Sequence, residues 1–424
     1  MRVLHIIDPG SPGGGACTLQ LLAEPLARLN SVHQDVLLIG TARHEMLARR
    51  CGVAPIGRLN TPRNEPMLAG IMGRAFRDLV ELYESRNGRY DIIHTWTARS
   101  TLLTAVATPS HARLATLAVG PVNGVMMAAL ARALKRRPCS LLATSVSVKR
   151  DYMVTGIAEE YVDVLPPAVH PEAVEEHSED RETVRRRWGL VDDRSKTFAV
   201  ALMAEPASWC DARRAASVLA LASESGRDVA LIIHPVAQRR LDAIAWAGKL
   251  GLADRIILED RLTEPWACMN GLDAVLMLSD DSNTMDISDR GNAFSLLLGG
   301  GRSVRPMPGI MPALWAMGAG VPVVAERSFA LTEIIDDDGT GLLFDQHNIN
   351  QAASKLVQLY EDRRLHRRIS QAARAHVHQK YHVSAYCVRL KDVYERLIEG
   401  RLVRVVTDDS DTIEQGRRFS KFSR

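Results

Sequence analysis

Three places in this chain hold residue types able to bind or move a charged group. Gly13-Gly-Gly15 follows the apolar run Val3 to Ile7 and precedes a stretch of helical periodicity beginning near Thr18. Glycines let backbone N–H groups approach a phosphate or sugar closely, and a helix N-terminus favours an anion. The spacing is not G-x-G-x-x-G, and no acidic residue ends the second apolar run as the dinucleotide fingerprint requires, so a plain βα turn is the other reading. His94 closes the buried-type run Tyr90 to His94, where it serves either as a ligand contact or as an internally satisfied histidine. Asp280, Asp281, Asp286 and Asp289 form an acidic stretch. It lacks the sixth-place glycine and terminal glutamate of a calcium loop, and a solvated loop is the plainer reading. No metal and no cofactor are expected.

The elements that must position these residues alternate along the chain. Val3 to Ile7, Gln34 to Ile39, Tyr90 to His94, Leu141 to Thr144 and Val162 to Leu165 read as strands. Helical segments are expected from Thr18 to Leu29, from Gly70 to Ser85 and from about Arg99. Strands and helices in turn imply a doubly wound α/β domain. After a Glu- and Arg-rich stretch, with a helix expected around Arg181 to Trp188, the pattern resumes. Thr197 to Leu202, Val229 to Ile233, Arg255 to Leu258, Ala274 to Leu278 and Val321 to Ala325 are short apolar runs of the kind buried in a parallel sheet. Pro312 suits the first turn of a helix, Gly318 and Gly320 end it, Asp338 to Gly341 is a turn, and Leu342 to Phe344 follows as a strand. A helical block covers Asn350 to Leu397.

With 424 residues, two domains are favoured over one. The net charge of +3 argues against a dedicated nucleic-acid binder. No apolar run approaches the roughly 20 residues needed to cross a bilayer. The N-terminus runs straight into a strand, so no secretory signal is read. Six scattered cysteines without a C-x-x-C pair suit reduced thiols in a cytoplasmic protein. Val125 to Arg137 is an apolar helix ending in cations. It is either a core helix with a favourable C-terminal charge or a surface that docks on anionic lipid at the inner face of the membrane.

The stretch GIMPALWAMGAGVPVVAERSFALTEIIDDDGTGLLF, Gly309 to Phe344, resembles the donor-binding core of the group 1 (family 4) retaining glycosyltransferases. That pattern runs E-G-F-G-L-P-x-L-E-A-M-A-x-G-x-P-V-V-A and then P-E-I-I-x-D-G-x-T-G-L-L. Ala143 to Asp151, Gly156-Ile157 and Val164 to His170 resemble the segment that ends the family's first domain. The resemblance covers roughly residues 1–400 and implies the GT-B fold, two Rossmann-like domains facing across a cleft. The expected division is 1–170 for the acceptor-side domain, 171–194 for a linker and 195–380 for the nucleotide-sugar donor domain. Residues 381–400 would form a helix crossing back, and 401–424 a mobile tail.

The resemblance also shows what is missing. The family's two motif glutamates fall on Met307 and Trp315, and the Arg and Lys that would neutralise the donor diphosphate have no counterpart between Ala201 and Asp211. Arg213 and Arg214, just downstream, either substitute for them or form a solvated helix face; Arg302 and Arg305 are the next cations along. Backbone amides at Gly309, Ile310 and Met311 would carry the remaining donor contacts. Glu333 matches the family's P-E-I-I and either caps a helix or touches the donor. Gly13, Gly14, Gly15 and His94 would line the acceptor side of the cleft. Trp315, which cannot accept hydrogen bonds from ribose hydroxyls, is expected to be buried. Residues 280–306 are an insertion relative to the family pattern.

The implied function is transfer of a sugar from a nucleotide-sugar donor to a glycan or lipid-linked acceptor, through a divergent donor site and with peripheral membrane contact. The alternative is a catalytically inactive GT-B protein acting as a binding or scaffold subunit. A sugar-nucleotide epimerase on the same fold is a third reading.

Overall fold

The computed structural model describes residues 1–9, 16–60, 69–97, 100, 103–104, 112–118, 139–154, 156–172, 176, 178–204, 210–237, 239–278 and 310–399. The glycines 13–15, Gly309, Arg302, Arg305, the 125–137 segment, the 280–306 insertion and the 401–424 tail lie outside them, as does most of the helix expected near Arg99, of which Ser100, Leu103 and Thr104 are described and helical.

The N-terminal half contains β1 (Arg2–Ile7), α1 (Ala16–Arg28), β2 (His33–Ile39), α2 (Ala42–Arg50), β3 (Gly57–Leu59), α3 (Ala69–Asn87), β4 (Ile92–Thr95), β5 (Arg113–Ala118), β6 (Cys139–Ala143), α4 (Val146–Val154) and β7 (Val162–Val164). All seven strands pair parallel in the order β3-β2-β1-β4-β5-β6-β7. Alternation along β1 explains why helices cover both faces. Leu4 and Ile6 bury against Phe76 and Val80 of α3, while Val3 and Ile7 point to the side of Leu19 and Leu22 of α1.

The C-terminal half holds α5 (Arg181–Arg187), β8 (Phe198–Leu202), α6 (Ala212–Ala222), β9 (Val229–Ile233), α7 (Arg240–Lys249), β10 (Ile256–Leu258), β11 (Ala274–Met277), α8 (Ile310–Gly318), β12 (Val323–Glu326), α9 (Phe329–Ile334) and β13 (Leu342–Phe344). It ends with α10 (Ile349–Glu361), α11 (Arg363–Lys380) and α12 (Val383–Glu399). Its sheet, β10-β9-β8-β11-β12-β13, is parallel and repeats the strand order of the first six strands of the other half. Phe198, Val200 and Leu202 pack with Val218, Leu219 and Leu356 on one face; Ala199 and Ala201 turn to the other, with Met277 and α8. The helix α8 ends where Gly320 takes a left-handed φ of +75° and Val321 N–H reaches back to Ala316 O at 2.8 Å, a closure that suits glycine.

The helix α5 lies within the segment expected to be a linker, yet it is fixed to the second sheet. Arg181 and Arg185 reach Asp273 at 2.7 and 3.2 Å, and Asp273 also accepts from Ala199 N–H at 2.8 Å. Arg185 is buried and donates further to the carbonyls of Gly271, Ser195 and Thr197.

The chain crosses between the halves twice, and the crossings are bonded to each other. Val169 N–H donates to Tyr381 O, and Val383 N–H to Val169 O, both at 3.0 Å. Beyond this point α12 packs on α1 and lies beside β5 and β6. Tyr394 of α12 meets His94 Nδ1 at 2.6 Å, and the His94 ring stacks on Trp96 with 4.5 Å between centroids. Trp96 Nε1–H donates to His5 Nδ1 at 3.0 Å, so the His5 proton sits on Nε2, facing Gln34 Oε1 at 3.0 Å. Burial pushes His5 from 6.5 down to about 4, against the pull of Gln34 and Asp35. Burial, reinforced by His5, also holds His94 well below the usual imidazole range.

Two measurements check this account. Asp273→Ala leaves Arg185 buried without its anion, and breaking such a buried pair typically costs about 3–5 kcal/mol; the denaturant midpoint of the second half should fall accordingly. For the imidazoles, the unfolded chain takes up a proton near pH 6.5 while folded His5 stays neutral to about 4. Stability is therefore fully present above pH 6.5 and is lost as the pH falls towards 4. His94→Phe keeps a ring against Trp96 and removes one such group. Its midpoint between pH 7 and 5 should fall less steeply than that of the parent chain, and parallel slopes would refute the assignment.

Candidate functional site

In open parallel sheets, ligands bind outside the carboxyl ends of the strands, at the point where the strand order reverses. Here the reversals lie between β1 and β4 and between β8 and β11. The carboxyl ends of the two sheets meet, as shown by a contact from the residues after β6 to a helix that follows β12. Ser145 opens α4, and its Oγ accepts from Val148 N–H at 3.1 Å. The two amides before it turn to the other half: Val146 N–H donates to Glu333 Oε2 and Ser147 N–H to Glu333 Oε1, each at 2.8 Å, and the Ser147 hydroxyl donates to Oε1 as well. Glu333 is carried on α9, capped by Ser328 through Leu331 N–H at 3.3 Å. Of the two roles expected for Glu333, capping is the one the geometry displays, and the helix it caps belongs to the opposite half. A carboxylate there complements the positive end of α4.

Arg213 and Arg214 occupy the first turn of α6, where Asp211 accepts from their backbone N–H groups at 2.9 and 3.1 Å. One residue of rotation separates their fates. The Arg213 guanidinium lies 4.1 Å over the Trp246 ring and donates to Ser217 Oγ at 2.7 Å, so it runs along helices α6 and α7 and away from the strand ends. Arg214 is buried and reaches Glu326 at 3.3 Å, at the carboxyl end of β12. Glu326 is 1% exposed and also accepts from His347 N–H. The sequence reading passed over Glu326; its signal was a carboxylate directly following a buried apolar run. His234 was passed over too. It directly follows β9, accepts from Val236 N–H at Nδ1 (3.1 Å) and therefore directs its Nε2 proton to Asp260 O at 3.0 Å. Burial lowers its pKa despite that bond.

Ile310 and Met311 begin α8, every residue of which is buried. Backbone N–H groups in a first turn have no partner inside the helix. Trp315 is 1% exposed, its ring 5.1 Å from that of Trp266, and its Nε1–H is buried without a hydrogen-bond partner among the described residues. The position where the family pattern has a carboxylate thus holds an apolar packing residue. His94 is fully buried, its Nδ1 directed to Tyr394 of α12 and its Nε2 buried without a hydrogen-bond partner among the described residues. Among the described residues no group of three or more His, Cys, Asp or Glu is arranged to hold a metal ion.

Residues 310–376, from α8 into α11, match the model of the family described as glycosyl transferases group 1. A 2-deoxystreptamine glucosyltransferase from Streptomyces kanamyceticus is 26% identical over 226 residues, which is 49% of this chain and 56% of that enzyme. Among solved structures, Anabaena HepE in complex with UDP-glucose superposes with a TM-score of 0.69 at 17% identity, over 93% of this chain and 99% of that one. Sucrose-phosphate synthase from Thermosynechococcus elongatus gives 0.67 at 15% identity, over 94% and 100%. Two parallel sheets whose carboxyl ends meet, superposing on these structures over almost the whole chain, give this protein the GT-B fold, and its residues 310–376 are similar to the glycosyl transferases group 1 family.

Proposed function

We propose that this chain is a glycosyltransferase. It moves a hexose from a nucleotide-sugar donor to a glycan or lipid-linked acceptor, with retention of anomeric configuration. The observation that carries the reading is the meeting of the strand ends beside the group 1 domain, with a buried arginine at the end of β12. Departure of a nucleoside diphosphate builds negative charge, and preorganised donors aimed at that charge are the largest single contribution to such a reaction. Arg214 is preorganised in this sense, because Glu326 and the close of β12 fix its direction. The first-turn amides of α8, those of Ile310 and Met311, are the second source of donors. Glu333 and Arg213 lie outside this set, since Glu333 is bound to the amides of α4 and Arg213 runs along α6 and α7 away from the strand ends. HepE, solved with UDP-glucose, and the glucosyltransferase relative support a uridine-type sugar nucleotide as the first donor to try. Retention rests on the resemblance of the Gly309–Phe344 stretch to retaining enzymes. No described helix is long and apolar enough to cross a membrane; contact with a lipid-linked acceptor would be peripheral.

The test is calorimetric titration with a panel of nucleoside diphosphates and their sugars, followed by turnover with the best donor and NMR assignment of the product's anomeric configuration. Binding with turnover supports the enzyme; binding without turnover on any acceptor, and without hydrolysis, favours the inactive subunit. Arg214→Ala should lower kcat by about 10²–10³, the usual effect of removing one preorganised donor, whereas Arg213→Ala should change it only a few-fold. Equal effects of the two substitutions would refute the role given to Arg214.

A further inference from the structure

The contact between Glu333 and α4 joins residues 187 positions apart and belongs to neither half alone. Three donors converge on one carboxylate: the amides of Val146 and Ser147 and the Ser147 hydroxyl. The third free amide of α4, that of Val148, is taken by Ser145 within its own half. The N-terminus of α4 is therefore completed only when α9 is docked against it. The α9 segment is held from a second side as well, since Tyr381, at the chain's return crossing, donates its hydroxyl to the Glu333 carbonyl at 3.4 Å. A further ion pair, Arg50 of α2 with Glu264, also joins the two halves.

We infer that Glu333 is an interdomain positioning residue: its carboxylate pins α4 to α9 and so sets the width of the cleft. The physical reason is directional. A bidentate carboxylate on two successive amides fixes distance and angle together, and the helix dipole adds to the attraction. Arg50–Glu264, with Arg50 largely exposed, supplies a single pair of a kind that contributes little by itself. Glu333 acts on the reaction through the placement of the two walls, without touching the reacting groups. The contact is defined by the fold and does not depend on which donor is bound.

The experiment needs no substrate. The six cysteines are buried, so spin labels attached at Met46→Cys in α2 and Leu241→Cys in α7, both exposed positions on opposite halves, report the distance across the cleft. The parent chain should give one narrow distance distribution. In Glu333→Ala it should broaden and shift. Glu333→Gln, the same size but with an NH2 in place of one acceptor oxygen, should show the same change in part. Arg50→Ala should leave the distribution nearly unchanged. Amide exchange at Val146 and Ser147 should quicken about five- to tenfold in Glu333→Ala, the scale of one lost hydrogen bond, while Val148 stays protected. Unchanged distances and unchanged exchange at Val146 and Ser147 would overturn the proposal. So would a loss of protection at Val148 equal to that of its neighbours in both variants, which would mean that α4 had simply frayed. Absence of glycosyl transfer would leave both readouts intact, so failure of this inference and failure of the transferase reading are separable.

Discussion

The relation between the two sheets depends on two backbone hydrogen bonds, Val169 N–H to Tyr381 O and Val383 N–H to Val169 O. They tie the outgoing crossing of the chain to its return. A single crossing would leave two α/β domains on a swivel, since interfaces between domains of one chain permit relative motion by default. A paired crossing removes much of that freedom and sends α12 back onto the first half. There Tyr394 finds His94, and Arg396 finds Asp163 at 3.5 Å. The apolar core then continues from Leu19 and Leu22 of α1 to Leu314 of α8 and Leu390 of α12, so the wall of one half packs on the wall of the other.

The elements buried on both sides were legible in the sequence. Val229–Ile233 and Leu342–Phe344 form strands over the residues their apolar runs mark, because a strand covered on both faces must be apolar throughout. Four elements of the first half, α2, β3, β5 and α4, were not read as helix or strand. β3 has only three residues, Gly57–Leu59, too few to show a period. In β5, Arg113 and Thr116 interrupt the apolar run, and α2 is mostly polar with Ala48 its only buried residue. The candidate site divides the same way. Burial of Trp315 follows from its residue type. The destinations of Arg213 and Arg214 do not, because adjacent residues on a helix differ by about 100° and only the tertiary neighbours, Trp246 and Glu326, decide which one faces the strand ends. The partner of Glu333 was illegible for a stronger reason: an amide at position 146 carries no side-chain signature at all.

Replacement of the family-pattern carboxylate by Trp315 fits the surroundings of α8. The helix is buried over its whole length, and Trp266 packs on the indole. A carboxylate in that place would have to be paired or protonated to be tolerated. Among the described residues the buried indole N–H is left without a hydrogen-bond partner there.

Two carboxylates near the strand ends are compensated where they stand. Glu326 is paired with Arg214, and Glu333 is paired with the positive end of α4. Had Glu333 been directed into the cleft uncompensated, an entering diphosphate would have met a repulsion that grows as water is excluded, because the interaction of two charges strengthens in proportion as the effective dielectric falls. Committing that carboxylate to an opposing helix removes the repulsion and holds the walls in the same step. As the inferred positioning residue, Glu333 thus serves both electrostatic tolerance for an anion and, beside the paired crossing at Val169, the spacing of the two halves.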